Sequence, residues 1–563
     1  MLSIQRGENW AWKGDCTFVL GVHPPQIRVT VLTESKRSFS PTTPVDAMAG
    51  DFASFGPGFR GWISVGTSFL GVLTLALVGM QFVFTMVQPD LNDPDVWWHM
   101  RNAQYLVQQH QLPRHDMYSF TAAGRPWVNT EWLSEIPFYL AYRFCGLTGL
   151  KFLTFALPSI VILLLLYLCY RESRNFKASI AVCAFASFLA KVSYGPRTIL
   201  FGYICLVLLL IILQRFRARG NAPLWLVPIL FCVWANTHGS WAIGLILFFL
   251  IAVAGLVGGS WGRIESTRWT PSQVRSLALT GAASIAALFI NPYGWRLVYY
   301  PFDLAFKQKL NIAHVAEWVP LSFQETRGKF VFVLIVGLLL AALLRRCRWN
   351  LGEILILLFA LHTALTHIRF LVLLGIVAAP LAAKLLDFFP PYRPELDTPR
   401  VNAAVILVMF SLMIYFLPHE AQIQNAIAET YPTGAISYLK AHPAQGNMLN
   451  FYLWGGYLEW NDPAIKVFVD SRVDIFEYAG VLQDYLQVLG SDTLVRQFDP
   501  ILQKYEVRYV LFPPGNSANP NLAGSGLIYL LEHNPQWKVA YQDKVCVLME
   551  RQTPASRAEV EIQ

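Results

Sequence analysis

The stretch Asp93-Pro94-Asp95-Val96-Trp97-Trp98-His99 decides how this chain is read. It follows directly on the first long apolar segment, Trp62–Val87. Two carboxylates, an imidazole and two indoles therefore stand where the chain leaves a bilayer. Ionisable groups beside hydrocarbon are costly and persist mainly where they bind or react. The stretch points to chemistry at a membrane surface.

The rest of the chain agrees. Its 563 residues are 55% hydrophobic and 14% charged, with a mean hydropathy of +0.41. A soluble chain carries about 25% charged residues. The apolar residues come in blocks of roughly 17–25, the length that crosses hydrocarbon as a helix. The net charge of +8 is gathered in short clusters, Arg171–Lys177, Arg215–Arg219, Arg263–Arg275 and Arg345–Arg348. Such clusters mark cytoplasmic loops. With no basic soluble domain, a nucleic-acid partner is excluded. Of the eight cysteines, Cys169, Cys183, Cys205 and Cys232 lie in apolar segments, and only Cys546 falls in the C-terminal polar region. No CxxC occurs, so neither a disulfide framework, a zinc site nor a redox motif is indicated. Residues 1–60 hold no apolar core followed by a cleavage site. They read as a disordered tail, or as an over-extended start ahead of Met48; residues 552–563 read as a second tail.

About eleven spans are expected, at 62–87, 150–170, 178–193, 198–214, 223–238, 240–258, 276–291, 330–345, 351–366, 368–387 and 401–417. The segment 131–147 opens Glu131-Trp-Leu-Ser-Glu135 and carries Arg143, so it reads as a membrane-adjacent or half-inserted helix. With the N-terminus inside, all four basic clusters fall on the cytoplasmic side. The opposite face then collects Asp93, Asp95, His99, Glu131, Arg197, Asn236, His238, Asn291, Glu317, His367 and Arg369, together with the chain after residue 418. Counting 131–147 as a full span would move the later basic clusters outside. The expected location is a cell inner membrane, crossed many times, with an extracytoplasmic C-terminal domain.

The outer loop 88–130 is long for a connector and rich in aromatics, so it is expected to be ordered and functional. From Pro94 to Gln109 it reads as a helix, with Asp93 at the N-cap and Pro94 in the first turn. Val96, Met100, Ala103 and Val107 make its apolar stripe, and Asp95, His99 and Asn102 its polar one. Within 418–551, apolar runs at Met448–Tyr452, Lys466–Asp470, Arg508–Phe512, Trp537–Tyr541 and Val545–Glu550 alternate with helical patterns, which suggests a small α/β domain. Asp470-Ser-Arg-Val-Asp474 follows one of those runs, either as a ligand site or as an internal salt bridge.

Each polar motif has a chemical and a plain reading. Asp93 and Asp95 suit a general base or the ligands of a divalent cation, and equally a helix cap with a salt bridge to Arg101. His99 stands one turn from Asp95 and could orient it. Trp97 and Trp98 could stack on sugar rings, while indoles also anchor chains at the interface. Arg197 suits a phosphate, or lipid headgroups. Asn236 and His238 of Trp234-Ala-Asn-Thr-His-Gly either line a cavity or join helices by hydrogen bonds. Asn291-Pro-Tyr-Gly-Trp295 and Trp454-Gly-Gly-Tyr457 read as turns. His367-Ile-Arg369 places two basic groups between helices, where an anionic partner, phosphate or carboxylate, is expected.

This constellation resembles the GT-C superfamily of integral-membrane glycosyltransferases, which includes protein mannosyltransferases, aminoarabinose transferases and oligosaccharyltransferases. The likeness lies in the long acidic outer loop after the first span, its amphipathic helix, and the outer C-terminal domain. Closer still is the resemblance to bacterial multi-pass members without assigned substrates. It rests on Asp93-Pro-Asp-Val-Trp-Trp-His, Gly124-Arg-Pro-Trp-Val, Trp234-Ala-Asn-Thr-His-Gly, Ile290-Asn-Pro-Tyr-Gly-Trp-Arg, Ile368-Arg-Phe and Val469-Asp-Ser-Arg. The resemblance implies a mainly α fold, a polytopic helical bundle with a small extracytoplasmic α/β domain. It also implies sugar transfer from a polyprenyl-phosphate carrier to an envelope glycan, lipid or protein acceptor. Asp93 or Asp95 would then deprotonate the acceptor, and Arg197, His238, His367 and Arg369 would meet the departing phosphate. His99, Trp98, Glu131 and Asn236 complete the expected substrate-binding set. Two departures stand out. The mannosyltransferases carry Asp-Glu where this chain has Asp-Pro-Asp, and the Trp-Trp-Asp-Tyr-Gly motif of oligosaccharyltransferases is missing, which disfavours transfer of a whole oligosaccharide to protein asparagine. The rival expectation is a non-catalytic envelope assembly protein or a transporter; a transporter should show internal repeats, and none is found.

Overall fold

The computed structural model describes residues 66–552, apart from 92, 345–347, 387, 490–493 and 515–524. The tails read over 1–60 and beyond Gln552, and most of the Arg345–Arg348 cluster, lie outside the described residues. Every apolar interval read from the sequence is helical. The chain runs from α1 (Phe69–Thr85) through the amphipathic α2 (Asp95–Gln109) into α3 (Trp132–Ser173), then α4 (Phe176–Ala190), α5 (Ile199–Arg219), α6 (Leu226–Thr237) and α7 (Trp241–Ala254). A hairpin, β1 (Gly259–Trp261) and β2 (Ile264–Ser266), leads to α8 (Pro271–Ala287), and α9 (Trp295–Phe306) and α10 (Lys309–His314) to α11 (Thr326–Leu344). After β3 (Trp349–Asn350) come α12 (Leu351–Thr366), α13 (Leu371–Leu385) and α14 (Pro399–Tyr415).

Among the described residues, five of these helices are long and apolar enough to cross a membrane, α3, α5, α11, and α4 and α13 with their flanking turns. The bent pair of α14 with α15 (Glu420–Ala428) makes a sixth if it counts as one span. α1, α6, α7 and α12 are apolar but shorter. Their outward faces are greasy: Leu343 is 73% exposed, Leu407 68% and Val333 59%. Such surface is stable against lipid rather than water. Inside, Gln81 on α1 is buried and donates to Ser187 Oγ on α4 at 2.9 Å, a polar link of the kind that joins helices in hydrocarbon.

α3 is broken. Gly146 has φ 61° and ψ −151°, a region open essentially to glycine alone. The backbone groups freed by the break are recovered by Glu420, whose carboxylate accepts from Leu147 N at 3.1 Å and Thr148 N at 2.9 Å. So the segment 132–145 and the long apolar half beyond it point differently, as the polar start of 131–147 implied. A Cβ at Gly146 would meet Glu420 Oε1 at 3.0 Å. Gly146→Ala should therefore cost about 1–3 kcal/mol, read as a lower thermal midpoint in detergent; an unchanged midpoint would remove the break as a structural element.

The polar groups separate to two ends of the helices. At one end Arg217 and Lys384 pair with Glu353, and Lys384 also with Glu172 at 2.5 Å. The chemistry-bearing residues meet at the other.

There the C-terminal region docks. Its sheet runs in the order β4 (Asn447–Asn450), β5 (Val507–Phe512), β7 (Val547–Arg551), β6 (Trp537–Gln542), with β4 parallel to β5 and the other pairs antiparallel. Around it pack α16 (Thr433–Ala441), α17 (Gly455–Asn461), α18 (Val473–Tyr478), α19 (Val481–Leu489), α20 (Leu494–Lys504) and α21 (Ser525–Glu532). The run Lys466–Asp470, expected as a strand, is instead an extended segment with one bridge, Ser119 to Val467. Its backbone is satisfied otherwise: Asn450 Oδ1 accepts from Phe468 N at 2.8 Å, Asn450 Nδ2 donates to Val469 O, and Thr121 Oγ1 donates to Phe468 O. A side-chain amide has taken the place of a neighbouring strand.

Directly after this segment, Arg472 is buried at 3% exposure. It takes Asp470 with two nitrogens, Asp116 Oδ1 at 2.9 Å, and lies between the rings of Tyr118 and Trp127 at 4.9 and 5.0 Å. The internal salt bridge is thus realised, and it binds the loop between α2 and α3 to the C-terminal region. Gly456 of Trp454-Gly-Gly-Tyr457 packs tightly there: a Cβ would meet Trp98 N at 3.1 Å and Pro94 O at 3.2 Å.

Candidate active site

The site is built from the N-terminal turn of α2. Asp93 Oδ1 accepts from Asp95 N at 3.0 Å, so the carboxylate covers an orphan helical N–H. Its other oxygen pairs with Arg197 Nε, and Arg197 reaches on to Glu317. Asp93 is thus held by a cation that is itself shared between two carboxylates. Arg197 is spent within the protein rather than open to a ligand, and the link expected from the acidic stretch to Arg101 is replaced by this one; Arg101 bonds Gln104 instead.

Asp95 is less committed. It is half-buried, and Oδ1 accepts from Trp98 Nε1 at 3.2 Å, the same indole that donates to Ser471 Oγ at 3.0 Å. Burial, and next the negative charge of Asp93, push the Asp95 carboxyl up to about 6; His99, Ser471 and Arg197 pull the other way. Trp98 therefore serves as a clamp on Asp95, joining α2 to the C-terminal region.

One turn on, His99 is buried between two acids. Nδ1 meets Glu135 Oε1 at 2.9 Å and Nε2 meets Glu131 Oε2 at 3.3 Å. Burial alone would depress the imidazole, but the Glu135 hydrogen bond and the charges of Glu131, Glu135 and Asp95 outweigh it and raise it. Glu135 is fixed in turn by Asn129 Nδ2 at 2.8 Å and Asn102 Nδ2 at 3.3 Å, and Tyr118 OH donates to Asn102 Oδ1. The second oxygen of Glu131 meets His238 Nε2 at 3.3 Å. His238 Nδ1 accepts from Ser240 N, so the proton sits on Nε2 and is donated to Glu131. Burial pushes the Glu131 carboxyl up to about 7, against the pull of His99. The result is a relay, Glu135, His99, Glu131, His238, lying beside Asp95.

The remaining expected residues divide. Asn236 is fully occupied joining helices: Oδ1 accepts from Trp132 Nε1 at 2.9 Å, and Nδ2 donates to Cys232 O and Ile290 O. It lines no cavity. His367 Nδ1 donates to Trp318 O at 2.6 Å and its ring meets the Trp318 indole edge-on. Arg369 lies over the other part of that indole, 4.2 Å from the centroid. Its charge is felt at His238 and Tyr203. Among the described residues no carboxylate lies within ion-pair distance of Arg369, so the protein partner open to it from sequence is not there. Sequence reasoning passed over Glu135 and Ser471. The four-residue spacing of Glu131 and Glu135 puts both on one helix face and could have marked the first; nothing local marks the second.

Asp93 is taken by Arg197 and by a backbone N–H, and among the described residues no three His, Cys, Asp or Glu side chains are grouped to hold a metal ion.

No family model and no curated protein matches the chain. Among solved structures, it is similar to the oligosaccharyltransferase of Archaeoglobus fulgidus in the apo form, at 13% identity and TM-score 0.46, covering 78% of this chain and 69% of that one. The same coverage, with 12% identity and TM-score 0.47, holds for AglB from Archaeoglobus fulgidus in complex with an inhibitory peptide and a dolichol-phosphate. ArnT from Cupriavidus metallidurans, bound to undecaprenyl phosphate, is similar at 13% identity and TM-score 0.47, over 88% of this chain and 99% of that one. A likeness this loose decides neither family nor reaction, and the functional reading rests on the geometry of the site.

Proposed function

We propose that the chain is a GT-C-type membrane glycosyltransferase that moves a hexosyl or pentosyl group from a polyprenyl-phosphate carrier to a hydroxyl of an envelope glycan, lipid or protein. What supports this is a half-buried carboxylate, Asp95, beside His99, and a cation without a carboxylate partner among the described residues, Arg369, whose charge reaches His238 at the other end of the same chain of contacts through Glu131. In the reaction the acceptor oxygen attacks the anomeric carbon and its proton passes to Asp95. The bond from that carbon to the phosphate oxygen breaks, and its electron pair leaves with the lipid phosphate. Arg369 meets the charge that develops there. Asp93, held by Arg197, fixes the start of α2 and so the place of Asp95. Glu131 and Glu135 raise the affinity of His99 for a proton, and a charged imidazole there favours the Asp95 carboxylate. The shorter apolar helices complete about eleven spans, with this end of the bundle and the C-terminal region on the outer face of the inner membrane.

The test is a panel of undecaprenyl-phosphate sugars with purified chain and envelope acceptors. One donor should be consumed, and Arg369→Ala should raise its KM by roughly 10–100-fold, the worth of a lost hydrogen bond to a charged group, with Arg369→Lys between. If no donor is consumed and loss of Arg369 changes no envelope glycan in cells, the chain is an assembly protein rather than a transferase.

A further inference from the structure

α9 carries an aromatic stripe that the site does not use. Trp295, Tyr299, Phe302 and Phe306 recur at spacings of four, three and four, within an arc of about 60°. They are 64%, 43%, 48% and 76% exposed. The opposite side of the helix is closed: Leu297 is fully buried, and Tyr300 is hydrogen-bonded to Asp474. Arg296, Lys307 and Lys309 are exposed beside the stripe, and Lys307 lies 5.1 Å over the Tyr299 ring. The helix lies between α8 and α11 in the chain, and at 12 residues it is too short and too polar on one side to cross hydrocarbon itself.

We infer that α9 lies in the plane of the membrane, its aromatic stripe seated at the headgroup boundary and its cations on anionic phospholipid headgroups. Aromatic side chains on one face and Lys or Arg at its edge are the pattern of such helices. The seat has a bearing on the site. Asp303 on α9 bonds Tyr478, and Glu477 accepts from Leu310 N and Asn311 N at 2.9 Å each, so the segment is latched to the C-terminal region. Its far end supplies Glu317, the partner of Arg197, and Trp318, which lies under Arg369. The lipid surface therefore supports the segment that holds the cation of the site in place. This inference rests on the membrane reading alone and not on the transferase assignment.

The experiment attaches a spin label through Phe302→Cys, and separately through Phe306→Cys, with the accessible native cysteines replaced by serine. The whole chain is placed in nanodiscs of phosphatidylcholine alone or with phosphatidylglycerol. Both labels should be reached by oxygen and shielded from a water-soluble nickel chelate, more so with phosphatidylglycerol. The charge reversals Arg296→Glu, Lys307→Glu and Lys309→Glu together should abolish that lipid dependence, since each cation near an anionic surface is worth about 1 kcal/mol, or roughly fivefold. Labels freely reached by the nickel chelate would overturn the seat. So would labels shielded from both reagents and coupled to a second label, which would show that another copy of the chain covers the stripe. None of these readouts depends on activity.

Discussion

Asp95→Asn should lower kcat on the order of 10²–10⁴-fold, the usual contribution of a general base, while leaving the KM for the lipid-linked donor within about a factor of three. The amide keeps the shape of the side chain and an acceptor for Trp98 Nε1, so the loss is one of proton affinity rather than of packing. The wild-type profile should show activity gained as pH rises through about 6, because burial holds the acid form to that point and only the carboxylate accepts a proton. The sign for stability is opposite. Between 3.8 and about 6 the folded chain keeps a proton that the unfolded chain has released, so this group lowers stability as pH rises through that window. Asp93→Asn should behave differently. It breaks the pair with Arg197 and should lower activity and thermal stability together, without a distinct limb. A variant Asp95→Asn with full turnover and the same limb would remove Asp95 from the reaction.

Arg472→Met should destabilise the chain by about 3–5 kcal/mol, the usual result when one partner of a buried ion pair is removed. Arg472 faces Asp470, Asp116 and, at 3.8 Å, Glu459. Burial, and next the charge of Asp470, push the Glu459 carboxyl well above the usual range, so the guanidinium is matched chiefly by the two nearer carboxylates, Asp470 and Asp116. Without the guanidinium both are left charged away from water. The loop between α2 and α3 should then loosen from the C-terminal region, seen as faster proteolysis within 111–130 and a lower thermal midpoint. Arg472→Met combined with Asp470→Leu should recover part of the loss, because the uncompensated charge is gone. If Arg472→Met is proteolysed like the native chain, the cluster is not what joins the two parts.

The helices could be read from the sequence because hydrocarbon permits only backbone that satisfies itself, and that demand writes long apolar blocks. The interval 131–147 stood out in the same terms through Glu131, Glu135 and Arg143, and the helix does break at its end, at Gly146. The acidic stretch drew attention to Asp93, Asp95, Trp98 and His99 for a related reason: charge next to an apolar block is conspicuous. For Asn236 the sequence left two readings open, because an amide that joins helices and one that lines a cavity look alike there; its bonds to Trp132 and Ile290 give it the joining part. The strand expected over Lys466–Asp470 failed similarly. Its residues are apolar and extended, but pairing depends on a neighbour, and Asn450 stands in that place. Ser471 carried no local signal, since the groups it meets, Trp98 and Asp95, lie far away in the sequence.

That last contact spans 373 positions of the chain. Its consequence is one of timing. During synthesis every helix through α14 leaves the ribosome before Ser471 is made, so an unfinished chain can sit among lipids with its apolar surface complete and its chemistry absent. The link between α2 and the C-terminal region is therefore set by completion of the polypeptide rather than by insertion of its helices.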